Sequence, residues 1–279
     1  MAFLLTVVSL YLGRVAALWG LAECFSAWNL NAKTLPYAPA WAQTAAALSG
    51  EIADVFALAL AAALGFSLAR VFKLFPARPE PGACPFRVPR ARPLPKILLF
   101  FAVGAALSLA LIGLLLAVKS VRMPRSRIAW EAETLVLLLR DALLCACLPL
   151  LTRVLPFPLL SSGIGFAAIS AVLQGILCGL LWGRFSPTLC ASALLCGLGW
   201  AWIYRAHASC LPEIAFSFAF RAVARRAFGY LSTNGVYSVS ENWLTGAEFG
   251  GLEGSGILFI VLTAAALALL YRRFRRLKI

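Results

Sequence analysis

Stretches of about 20 consecutive apolar residues, the length needed to cross the hydrocarbon core of a bilayer, recur along this 279-residue chain, separated by basic and proline-rich linkers. Hydrophobic residues make up 62% of the sequence and charged ones 13%. A globular domain is about half apolar and about a quarter charged, so this chain lacks the polar surface to cover itself in water. The mean hydropathy of +0.89 agrees. A soluble enzyme, a disordered chain and a nucleic-acid-binding domain are excluded. The net charge of +14 comes from 25 Lys+Arg against 11 Asp+Glu. These basic residues gather between apolar runs, where they mark topology. The expected fold is all-α, a polytopic membrane helix bundle forming a single integral domain over residues 1–279, with the lipid bilayer as its partner and no role for nucleic acid.

Eight transmembrane helices are expected, over residues 2–29, 42–70, 97–118, 128–152, 157–183, 187–204, 211–226 and 255–271. The first run is too long for a cleaved signal sequence and has no basic segment before it. It reads as a retained span. Residues 73–96 carry seven prolines interleaved with basic residues, which forbid a helix and favour an extended cytoplasmic connector. Residues 227–254 read as a polar loop before the last span. With eight spans both termini share a side. Placing them in the cytoplasm gives that side fourteen basic residues, among them Arg153 and Arg205, against eight outside. The positive-inside rule then favours a multi-pass protein of the cell (plasma) membrane with both termini inside. The cluster Lys119, Arg122, Arg125 and Arg127 runs against that orientation.

Charges within spans are costly, about 2.5–3.5 kcal/mol each at a helix centre, so they need partners or water. Glu51 and Asp54 are three apart and share a helix face. Glu133 and Arg140 are seven apart, again on one face, with Asp141 beside Arg140. Two readings follow: a polar cleft inside the bundle, or ion pairs that pin helices together. Metal chemistry has little to work with. A zinc site needs three or four well-placed ligands, and the sole histidine, His207, sits in a basic-flanked turn. No cofactor is implied. The eight cysteines follow no Cys-x-x-Cys spacing: Cys145, Cys147, Cys178, Cys190 and Cys196 lie inside apolar runs and read as small buried hydrophobes, while Cys24, Cys84 and Cys210 lie nearer polar flanks.

From residue 133 onward the order of features resembles the CAAX-protease and bacteriocin-processing (CPBP) family of intramembrane proteases. The stretch Leu135 to Arg140 (LVLLLR) is similar to that family's Glu-Glu-x-x-x-Arg helix. Ser170 to Cys178 (SAVLQGILC) resembles its Phe-x-x-x-His helix. Leu194 to Tyr204 (LLCGLGWAWIY) and Leu211 to Phe216 (LPEIAF) resemble its Gly-rich helix, turn and second histidine helix. Asn242 to Gly251 (NWLTGAEFGG) looks like the tail of bacterial members.

The resemblance implies a site built on paired glutamates and histidines that activate water, with or without a metal. Those groups are missing here. The glutamate positions hold Leu135 and Val136, and only Arg140 matches. The first histidine position holds Cys178, or Ser170 if Phe166 is the motif phenylalanine. The second holds Phe216, and the Asn/Asp position holds Phe220. Leucine cannot accept a proton and phenylalanine cannot bind a metal. The resemblance therefore implies a non-catalytic homologue that binds or scaffolds a membrane-bound peptide or protein. Two alternatives stay open. One is an active, divergent endopeptidase in which Glu131 or Glu133 stands in beside Arg140. The other is a small transporter subunit using Glu51, Asp54 and Arg140 as a polar pathway.

Overall fold

The computed structural model describes residues 2–28, 34–71, 93–117, 121–122, 132–155, 163–182, 187–207, 209–228, 238–239 and 260–268; the side chains of 2–3, 69, 93, 96, 115–116, 121–122, 132–134, 163–164, 178–182, 189, 205–207, 225–228 and 238–239 are outside that description. The described chain is almost entirely helical. In order come α1 (Ala2–Ala27), α2 (Ala40–Ala47), α3 (Ser49–Val71), α4 (Pro93–Ala117), α5 (Ala132–Pro149), a π-helical turn (Leu150–Val154), α6 (Gly163–Trp182), α7 (Pro187–His207) and α8 (Leu211–Phe228). Residues 260–268 are helical as well. A two-residue antiparallel ladder pairs Val121 with Val239 and Arg122 with Ser238.

Among the described residues, four stretches are long and apolar enough to cross a membrane: Leu4–Ala27, Ser49–Leu68, Ile97–Leu114 and Leu135–Val154. Gly165–Leu177 and Cys190–Tyr204 are apolar but shorter. Large apolar side chains stand outward along α1, among them Leu5, Val8, Leu12, Val15 and Trp19. Water would not tolerate such a face. These are the helices of a membrane-embedded protein.

The described elements depart from the sequence expectation at three places. α4 begins at Pro93, so residues 93–96 are helical rather than part of an extended connector. Proline is tolerated in a first helical turn, where its missing N–H would have no intrahelical acceptor. Residues 73–92, with Cys84, lie outside the described residues. The second expected span is two helices, α2 and α3, meeting at Leu48. The backbone bonds continue across the joint, from Leu48 N–H to Thr44 O and from Ile52 N–H to Leu48 O, both 2.9 Å. The fourth span does not end cleanly near residue 152. Pro149 cannot donate to the carbonyl of Cys145, and the next turn widens to π geometry.

The chain divides into two compact units, Met1–Phe72 with Trp130–Leu151, and Lys73–Ala129 with Thr152–Ile279. In the first, α3 packs against both α1 and α5. α1 runs antiparallel to it: Thr6 lies by Gly65, and Gly13 by Ala57. α5 runs parallel to it, as Asp54 meets Arg140, Leu58 accepts a bond from the Cys147 thiol at 3.1 Å, and Gly65 lies by Leu150. Trp28 and Trp41 meet edge to face at 5.4 Å where α1 gives way to α2, in keeping with the tryptophans that gather at membrane–water interfaces.

In the second unit α4 packs against α8, and α6 against α7. Glycine sets both contacts. A Cβ added at Gly104 would stand 2.4 Å from the Phe216 carbonyl oxygen, and one at Gly197 would stand 2.6 Å from Ala171 Cα. Small residues that let backbones touch are the usual means of helix association in lipid, where burying apolar surface gives no net drive.

Candidate functional site

Two charged centres are built into the described helices, one in each unit. In the first, Asp54 of α3 is clamped between two arginines. Arg140 Nη2 lies 2.9 Å from Asp54 Oδ2, and Arg14 Nε lies 2.8 Å from Asp54 Oδ1. Asp54 reaches α5 because α3 and α5 run parallel, and it reaches α1 because Gly13 lets α1 approach closely beside Arg14. Arg140 and Asp54 are largely enclosed, whereas the Arg14 side chain is 52% exposed. Asp141 is buried and engaged in a contact of its own. Glu51, one turn before Asp54, is partly exposed. Of the sequence candidates, then, Arg140 and Asp54 are brought together. Arg14 joins them, although no spacing along the chain links it to either.

The second centre was missed altogether. Arg153, counted above among cytoplasmic topology charges, has no exposed side-chain surface. Its Nη1 lies 3.1 Å from Glu213 Oε1 at the start of α8. The guanidinium also donates to Thr152 Oγ1 and to Gln174 Oε1 of α6. The correction has a physical reason. A buried charge needs a counter-charge and hydrogen bonds, and three polar side chains from separate elements supply them at Nη1 and Nη2. Removing Arg153 from the topology count lowers the inner side by one and leaves its direction unchanged. Ser170, one turn before Gln174 on α6, is buried, and its hydroxyl has no hydrogen-bond partner among the described residues, as is true of Arg153 Nε. Tyr204 of α7 is buried with its ring 6.1 Å from Phe166.

The motif positions carried by the family resemblance show what now fills them. Leu135 is exposed on α5 and Val136 is half-buried in the first unit. In the second, Phe216 stacks on Phe220, their centroids 6.3 Å apart, and meets Trp200 edge to face at 5.3 Å. The side chains of Glu133, Cys178 and His207, and all of Glu131, lie outside the described residues. Among those described, no three His, Cys, Asp or Glu side chains converge as metal ligands would.

The chemistry open to these centres is limited. Asp54 and Glu213 are each engaged by arginine, and neither centre has a histidine among the described side chains to share proton transfer. Cys145, Cys147 and Cys196 are buried free thiols. Cys210, in the turn before α8, is a free thiol pushed up to about 11 by burial, with the nearby Glu213 carboxylate adding to the rise. It is a poor nucleophile at neutral pH. What both centres do well is tie helices together through charge. The chain matches no known protein family, no curated protein and no solved structure.

Proposed function

We propose that this chain is a non-catalytic membrane protein of the CPBP type, with eight spans and both termini in the cytoplasm, which binds or scaffolds another membrane protein or peptide. The observation that carries the reading is the aromatic stack of Phe216 on Phe220 against Trp200. It fills with apolar rings the helix face on which a protease of that family needs a histidine and an Asn or Asp. Arg140, the one retained motif residue, is occupied by Asp54, which supports a structural use for it. The alternating helix directions within the first unit, α1 against α3 and α3 alongside α5, fit the proposed topology.

Purified full-length protein is expected to leave prenylated and leader-peptide substrates uncut, with or without added zinc. Cleavage that survives repurification and is lost in Glu133→Gln would overturn the proposal in favour of a divergent protease.

A further inference from the structure

Arg14 lies at the middle of α1, twelve residues after Ala2 and thirteen before Ala27. At about 1.5 Å of rise per residue, roughly 18 Å of helix separates it from either end. Half the hydrocarbon core is about 15 Å, farther than an arginine side chain can reach to water. Charged side chains at such depth turn toward a bundle interior, a cavity or an opposite charge. Arg14 is satisfied only in part. A guanidinium offers five N–H donors and no acceptor, and the one described residue bonded to Arg14 is Asp54, whose other oxygen is already held by Arg140. Half of the side chain remains open on the outer face of α1.

That face has room for a helix. Beside Arg14 lies an apolar groove of about 370 Å³ lined by Ala16, Ala17, Gly20 and Leu21 of α1 and by Ile52 and Phe56 of α3, with Cys24 at its end. Ala17 and Leu21 follow Arg14 by three and seven residues, and so continue its stripe along the helix. A Cβ added at Gly20 would meet nothing within 4 Å, so the groove floor is open to a close approach.

We infer that this face of α1 is a docking surface for one transmembrane helix of another protein, which carries an Asp or Glu near its own midpoint. Its carboxylate pairs with the open side of the Arg14 guanidinium, and its apolar flank lies in the Ala17–Gly20 groove. Charge complementarity selects this occupant. A purely apolar helix would leave Arg14 half solvated by lipid tails, and a basic one would be repelled. The inference rests on the binding reading above and gives it a surface and a partner chemistry.

The test uses full-length protein in phosphatidylcholine liposomes and synthetic poly-leucine transmembrane peptides with a diazirine photolabel beside a central Glu, Gln, Lys or Leu. Illumination is expected to cross-link the Glu peptide to α1 around Arg14, with capture of the Gln and Leu peptides at least about tenfold weaker, the equivalent of 1.4 kcal/mol. Arg14→Leu should reduce Glu-peptide capture to the Leu-peptide level while Arg14→Lys retains most of it, and Arg14→Glu should instead favour the Lys peptide. The Glu-to-Leu capture ratio on unmodified protein decides the matter even if a variant misfolds. Equal capture of both peptides, no capture of the Glu peptide, cross-links mapping away from α1, or a melting-competent Arg14→Leu protein that still selects Glu would each overturn the inference. None of these results touches the non-catalytic reading, which fails only if prenylated or leader-peptide substrates are cut.

Discussion

In the first unit Arg14 meets Asp54 with half its side chain exposed on an outward helix face; in the second, Arg153 meets Glu213 with none exposed. The chemistry is the same, and the surroundings divide the roles. A guanidinium enclosed on every side is held by its own chain, from the π-helical turn, α6 and α8 together. Its energy goes into holding those elements in place. A guanidinium held on one side only is satisfied inside its own unit just in part. The lesson is that in a membrane protein the exposure of a paired charge separates the pairs that hold the fold from those able to reach outside it.

The sharpest way to break this comparison is to remove Glu213. Glu213→Leu strands a fully buried arginine, and losing one partner of a buried pair costs about 3–5 kcal/mol. Melting in detergent should fall steeply, and expression with it. The double substitution Arg153→Met with Glu213→Leu should recover much of the loss, because replacing both members of a buried pair with apolar groups is often close to neutral. A Glu213→Leu protein that melts like the parent would show that Arg153 reaches water and that the two centres do not differ.

The clamp on Asp54 should respond more gently. Arg140→Leu leaves Asp54 bonded to Arg14, so Asp54 loses one charged hydrogen bond, about 1.5–3 kcal/mol, and is not left a stranded carboxylate. Asp54→Leu should cost more than Arg140→Leu, because it releases two arginines at once. Melting of the two single variants and of the Asp54→Leu, Arg140→Leu double settles the order. If Arg140→Leu costs as much as Glu213→Leu, Arg14 is not sharing the load.

How much of this was legible in the sequence follows from what each feature needs. The apolar runs are local, so the helices that became α1, α4 and α5 could be read within a few residues of their observed ends. Asp54 was a candidate because its spacing from Glu51 puts both on one helix face. That it meets Arg140 depends on α3 and α5 lying side by side, which no spacing within either helix encodes. Arg153 looked like any basic residue just past an apolar run. Its partner Glu213 is sixty residues downstream in the least apolar of the expected spans, and Gln174 is the one amide in a span whose other polar side chains are serines. Position and partner become one feature only once the π-helical turn brings Arg153 to Gln174 of α6 and Glu213 of α8. The break between α2 and α3 is marked only by Ser49-Gly50 after a run of alanines, and the π-helical turn only by Pro149.

The smallest expected effect reads the second centre from outside its helices. Cys210 precedes Glu213 by three residues, and its thiol is held up at about 11 by burial first and by the Glu213 carboxylate second, against a lesser downward pull from Arg153. The thiolate is the reactive form, so maleimide labelling of Cys210, followed on its own peptide by mass spectrometry, should rise about tenfold per pH unit from pH 7 and level off only near pH 11. Glu213→Gln removes the negative charge while keeping an oxygen that accepts from Arg153. The thiolate is then opposed by burial alone and helped by Arg153, so the inflection should move down and labelling at a fixed pH 8 should quicken several-fold. The shift stays modest because burial, the larger cause, is untouched. A levelling near pH 9 in the unmodified protein would mean that the turn before α8 is open to water, and that the enclosure separating the Arg153 centre from the Arg14 face ends short of Cys210.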